Sequence, residues 1–267
     1  MNCFDITQKG NLMFSTPVIL FEDNHVIVAL KEPNLLTQGD KTGDEDMLSL
    51  LKKHVKEKYD KPGEAFLGLV HRMDRPVGGL LVFARTSKAA QRLAKQLGDN
   101  RLQREYVLIV EGNPPPSFTL RDFLVKDEAT NMVKAVPSYL RKGKEAVLHA
   151  RKIAQKEEDA LVIVRLETGR AHQIRVQMAT AGFPLKGDQR YGGKQPRAQI
   201  ALWGMRLSFA HPITDKQMVF IAPPPLEENK PTEENPRPQP NLWLPYRREL
   251  EGLQSVWPPI SEQIPLE

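Results

Sequence analysis

The sequence predicts a mixed α+β domain with a largely antiparallel sheet. Short β-rich apolar runs follow one another through the first 225 residues, helical periodicity is confined to three segments, and the connections are polar and often basic. Strands that succeed one another with few helices between them pair as hairpins, which argues against a doubly wound parallel sheet.

Residues 17–23 and 25–30 are the first two strands, a hairpin turning at Asp23-Asn24. Residues 31–40 carry Pro33, Asn34 and Gly39 and form a loop. From 46 to 59, Leu48, Leu51 and Val55 recur at helical spacing with lysines between them, giving an amphipathic helix that Pro62-Gly63 closes off. Residues 66–70 and 79–84 are strand-like runs flanking a charged stretch, and 86–98 is a helix with Ala89, Leu93 and Leu97 on one face and Gly98 at its C-terminal cap. A strand follows at 104–111, with others around Leu120, Val133, Val147 and Val162. Ile174, Met178 and Ala181 mark the third helix, ended by Gly182 and Pro184.

Past residue 225 the composition changes. Half of the 22 prolines lie between Pro223 and Pro265, and from Leu226 onward eight Glu face four Lys or Arg. So much proline excludes long helices or strands, so residues 227–267 read as an extension lying along the domain or partly disordered, pinned by Trp243, Tyr246 and Trp257. The organisation expected is an arm at 1–16, one catalytic domain at 17–226 and this acidic, Pro-rich extension.

The overall charge of +5 therefore hides a body of about +9, which suits a polyanionic partner such as RNA. One cysteine, Cys3, excludes an internal disulfide and a Cys-rich metal site, and the opening residues lack the basic-then-apolar pattern of a secretory signal. No apolar run approaches a membrane span. A cytoplasmic monomer is expected, with no metal, no cofactor, no membrane and no dedicated protein partner.

Two clusters hold the reactive side chains. In His71-Arg72-Met73-Asp74-Arg75-Pro76-Val77-Gly78-Gly79-Leu80, an acid flanked by two arginines is held ionised in a short loop between apolar strands; the same residues also suit a salt-bridged turn. In Leu166-Glu167-Thr168-Gly169-Arg170-Ala171-His172-Gln173-Ile174-Arg175-Val176, a strand runs into a helix whose first turn combines N–H groups with Arg170 and His172 and attracts anions; helix capping with a solvated basic face explains it equally well.

Together, in order and spacing, these clusters closely resemble the RluA-type family of RNA pseudouridine synthases. Arg104-Glu105-Tyr106-Val107, Glu111-Gly112, Gly187-Asp188, Tyr191-Gly192 and His211-Pro212 extend the resemblance over residues 17–225. It implies the pseudouridine synthase fold, a bent, mixed, largely antiparallel sheet with a central catalytic cleft, and the isomerisation of uridines in ribosomal or transfer RNA by base flipping. It further implies Asp74 as the essential carboxylate, attacking C1′ or removing a C2′ proton, with Arg175 as its partner and Tyr106 stacked on the uracil. Arg72 is implied to enter the RNA stack, and Arg170, His172 and Gln173 are expected to bind substrate. Of the basic residues Arg141, Lys142, Lys144, Arg151 and Lys152, some could hold the RNA backbone, although most suit a solvated surface.

Two departures stand out. Val77-Gly78-Gly79 replaces the family's usual Thr-Ser-Gly and removes a hydroxyl from the loop, and Lys31-Glu32-Pro33-Asn34 replaces Lys-Pro-x-Gly, where Asn34 can take the left-handed conformation of glycine. A non-catalytic RNA-binding or ribosome-assembly factor on the same fold is the alternative. A glycoside hydrolase would need a second carboxylate near Asp74, and no evident candidate adjoins it in the sequence.

Overall fold

The computed structural model describes residues 17–60, 62–137, 140, 142–193, 198–229, 241–258 and 260; the arm at 1–16 lies outside them. The chain divides into two compact units, residues 1–102 with 207–220, and residues 103–206 with 221–267.

In the first unit, β1 (Val18–Glu22) and β2 (Val26–Lys31) form the expected hairpin, and Asp23 shapes its turn by accepting the N–H groups of His25 and Val26 at 2.7 and 2.8 Å. β2 pairs antiparallel with β4 (Gly78–Ala84), and β3 (Gly68–Leu69) with β4. Alternation sends Ile27, Ala29, Leu81 and Phe83 to one face, where Met47, Leu51 and Val55 of α1 (Met47–Lys58) pack on them. Each of these helix side chains stabilises the unit by roughly 1.5–3 kcal/mol through burial. α1 starts where Asp46 caps the Ser49 N–H, and α2 (Ser87–Gly98) where Thr86 caps Ala89. Gly98 closes α2 without taking positive φ; Asn100 does so two residues later.

In the second unit, β5 (Gln103–Glu111), β9 (Asp159–Leu166), β8 (Lys144–Lys156), β6 (Ser117–Asp127) and β7 (Met132–Val136) lie side by side in that order, each antiparallel to its neighbours. The register aligns Tyr106, Val164, Ala150 and Phe118 on one face and Glu105, Arg165, His149 and Thr119 on the other. On the Tyr106 face, Val176 of α3 (Gln173–Thr180) packs on Leu124, Val133 and Ala146. The expected single apolar face of α3 gives way to burial all round, from Gln173 to Met178, which is why its polar side chains must find partners inside. Gly182, at φ +86°, completes its C-terminus, with the Phe183 N–H donating to the Met178 carbonyl at 2.9 Å.

β10 (Leu202–Ala210), which has no counterpart among the expected elements, and β11 (Gln217–Ile221) pair with each other. The extension, expected to hold no long helix, contains a short one. Between Pro245 and Pro258 the chain is free of proline, and α4 (Arg247–Ser255) forms there after a 3-10 turn at Leu244–Tyr246. Trp243 and Tyr246 are buried, the Tyr246 hydroxyl donates to the Asp159 carbonyl at 2.8 Å, and the Trp257 indole donates to Glu105 at 3.0 Å. Residues 230–240, 259 and 261–267 of the extension lie outside the described ones.

Candidate active site

Asp74 sits, partly exposed, in the loop joining β3 to β4, at the start of a turn that the Val77 N–H closes on the Asp74 carbonyl at 3.0 Å. The segment after β2 grips this loop. Asn34, at φ 69° as the sequence suggests, donates its N–H to the Arg75 carbonyl at 2.8 Å, and Arg75 Nε donates back to the Asn34 carbonyl at 3.1 Å. The Thr37 hydroxyl bonds both the carbonyl and the N–H of Met73, at 3.0 and 3.2 Å, so a hydroxyl reaches the loop from outside it although Val77-Gly78-Gly79 carries none. The Val82 N–H donates to His71 Nε2 at 3.3 Å, which places the ring proton on Nδ1.

Lys31 is the buried charge at this loop to which sequence reasoning gave no role. Strand alternation after Ile27 and Ala29 turns its side chain inward, leaving it 0% exposed. Its ammonium donates to the carbonyls of Leu35, Arg75 and Glu32 at 2.7, 3.1 and 3.0 Å, tying the two loops together. Burial drives its pKa down to about 7, against the opposing pull of the Asp74 and Glu32 carboxylates. The available signal was a lone lysine closing an otherwise apolar strand.

Arg72 is exposed beside Asp74 in this first unit. The other candidates belong to the second unit. Tyr106 is buried on β5, and Arg175 lies in α3 with Nε and Nη2 on the two carboxylate oxygens of Asp188, at 2.8 and 2.7 Å. Both partners are buried, so this fork holds the guanidinium rigidly, and losing either member would strand a charge. Asp188 also accepts the N–H groups of Arg190 and Tyr191, while the Tyr191 ring lies 5.1 Å from the Arg175 guanidinium. His172, in the left-handed region at φ 53°, bonds Tyr191 Oη through Nδ1 at 2.7 Å. Asp188 and Tyr191 stand in motifs the sequence flagged without assigning a role.

Gln173 is turned into its own loop. Its carbonyl oxygen accepts from Thr168 Oγ1 and the Arg170 N–H, and its amide donates to the Val147 carbonyl. Arg170 is exposed and donates from Nε to the Glu145 carbonyl at 2.9 Å. Of the five basic residues noted in the sequence, Lys142 and Lys144 are exposed, Arg151 and Lys152 half-buried, and Arg141 lies outside the described residues. Among the described residues no cluster of His, Cys, Asp or Glu is arranged to hold a metal, and no helix is long and apolar enough to cross a membrane.

The first unit thus carries an acid on a clamped loop, the second a buried guanidinium fork and a tyrosine, on elements of the α+β class. The family model for RNA pseudouridylate synthase matches residues 25–180. Ribosomal large subunit pseudouridine synthase D of Zymomonas mobilis is 35% identical over 219 residues, covering 78% of this chain and 69% of that protein. An uncharacterized RNA pseudouridine synthase of Bacillus subtilis is 35% identical over 214 residues, with the same coverages. Among solved structures, human RNA pseudouridylate synthase domain containing 4 shares the fold at a TM-score of 0.65 and 19% identity, covering 78% of this chain and 88% of its own. The chain is an isomerase that acts on RNA. It belongs to the RNA pseudouridylate synthase family.

Proposed function

We propose that this chain converts uridines of ribosomal RNA to pseudouridine, working as a monomer in the cytoplasm, with Asp74 as the catalytic carboxylate. The clamping of the Asp74 loop by Lys31, Asn34 and Thr37 carries this reading, because a carboxylate that must meet one sugar carbon needs a fixed backbone. The names of relatives that act on the large ribosomal subunit support the choice of RNA.

The reaction breaks the bond from C1′ to uracil N1, turns the base within the pocket, joins C1′ to C5, and moves the C5 proton to solvent while N1 gains one. Asp74 either attacks C1′ or removes a C2′ proton. Arg175, held by Asp188 through Nε and Nη2, is assigned the role of the partner that orients Asp74. Tyr106 stacks on the flipped uracil and its phenol serves the closing deprotonation at C5. Arg72, exposed next to Asp74, fills the vacated stack and offsets a flipping cost of a few kcal/mol. Arg170 and His172 contact the substrate, and Gln173 holds their turn in shape.

Tritium release from C5-labelled, unmodified transcripts of ribosomal and transfer RNA tests the proposal. Release from the ribosomal transcript, with pseudouridine recovered at discrete positions, is the expected result. Release from transfer RNA alone would reassign the substrate, and binding without release from either would make the chain a binding factor.

A further inference from the structure

Arg104 enters β5 two residues before Tyr106, on the same face of the strand. It is 8% exposed, and among the described residues its Nε has no hydrogen-bond partner. No carboxylate among the described residues compensates it. Burial lowers its pKa, and Tyr106 is the one group that counters the effect. An uncompensated buried guanidinium is costly, and such groups persist where a ligand completes them.

The turn in front of it is cut to fit. Gly169 is exposed, and a Cβ built there would lie 2.6 Å from Arg104 Nη1 and 3.4 Å from Cζ and Nη2. The guanidinium therefore lies against a bare α-carbon at the surface, and any side chain at 169 would displace it. Glycine at this position leaves the planar fork the room it occupies.

We propose that Arg104 is a substrate-binding residue whose guanidinium receives a backbone phosphate of the RNA, adjacent to the nucleotide that Tyr106 holds. Phosphate is the anion that RNA offers, and a planar fork with no carboxylate partner matches its oxygens in a bidentate manner. The inference rests on the reading of the chain as an RNA pseudouridine synthase.

The test uses the full chain in the Asp74→Asn background, with an unmodified large-subunit ribosomal RNA transcript as the probe. Binding is measured against salt for the parent, for added Arg104→Met and for added Gly169→Ala, with Tm recorded for each protein free of RNA. Arg104→Met is expected to weaken binding about tenfold and to lower the log–log salt slope by about 0.7, the value of one single-strand phosphate contact, while its Tm holds or rises. Gly169→Ala, which displaces the guanidinium without removing it, should weaken binding at unchanged Tm and carries the test if the methionine variant does not fold. Parent-like affinity and salt slope in the folded variants overturn the phosphate role, and a lowered Tm with an unchanged slope assigns Arg104 to structure alone. A folded parent that fails to bind the transcript, together with wild type that releases no tritium, overturns the functional reading and this inference with it.

Discussion

Replacing Lys31 with methionine removes a buried ammonium while keeping most of its volume. Three carbonyls, those of Glu32, Leu35 and Arg75, lose a charged donor, each loss costing on the order of 1–3 kcal/mol. Against this stands relief from burying the charge: a fall in pKa from 10.5 to about 7 corresponds to on the order of 5 kcal/mol of disfavoured ionisation. The two effects nearly cancel at neutral pH, so stability there should change little, whereas its pH dependence should change greatly. Between pH 7 and 10.5 the unfolded chain holds a proton at Lys31 that the folded chain has released. Wild-type stability should therefore rise across that window, relative to Lys31→Met, by about 1.4 kcal/mol per pH unit. Urea unfolding of both proteins at pH 6, 7, 8, 9 and 10 measures the difference directly. Parallel curves, with a gap constant within about 0.5 kcal/mol, would show that Lys31 titrates as an exposed lysine and refute the buried-cation reasoning. Activity supplies a second readout: with the Arg75 carbonyl released and the cation near Asp74 gone, turnover should fall about 100-fold in kcat with little change in KM.

Four further outcomes are expected. Asp74→Asn should abolish tritium release while leaving the fold and much of the RNA affinity intact, and activity within about tenfold of wild type, a barrier change near 1.4 kcal/mol, would remove Asp74 from catalysis. Asp188→Asn should destabilise the chain by roughly 3–5 kcal/mol in urea unfolding by stranding the buried Arg175 charge, and a loss below about 1 kcal/mol would show that the fork contributes little. Tyr106→Phe should keep RNA affinity and lose kcat, accumulating rearranged product that still holds its C5 proton, and a wild-type rate would leave Tyr106 as a stacking surface only. Glu22 is held at a pKa of about 2 because hydrogen bonds from Lys58, His54 and Tyr59 outweigh the burial that opposes them. The stability lost in Glu22→Gln should therefore be full above pH 4.5 and shrink as the pH falls toward 2; a gap that stays constant in acid unfolding would rule out the depressed carboxylate.

The sequence determined, by itself, much of what depends on neighbours along the chain. Period-2 and period-3.6 patterns located β1, β2, β4, β5 and the first three helices, Asn34 announced its left-handed backbone, and motif order carried the family. The same local logic missed α4, because a count of prolines over forty residues hid a stretch that contains none, and it gave no warning of β10. Tertiary structure decided which polar side chains face inward and what they meet there. Lys31 lies beneath the Asp74 loop because strand parity turns it into a core that closes only when α1 packs on the sheet, and Asp188 meets Arg175 across thirteen residues of chain. Gly169 clears space for an arginine sixty-five residues away. Burial and charge pairing act through space between residues distant in sequence, so their energies leave no periodic trace in the chain, and the partners of a buried charge are fixed only once the fold has excluded water around it.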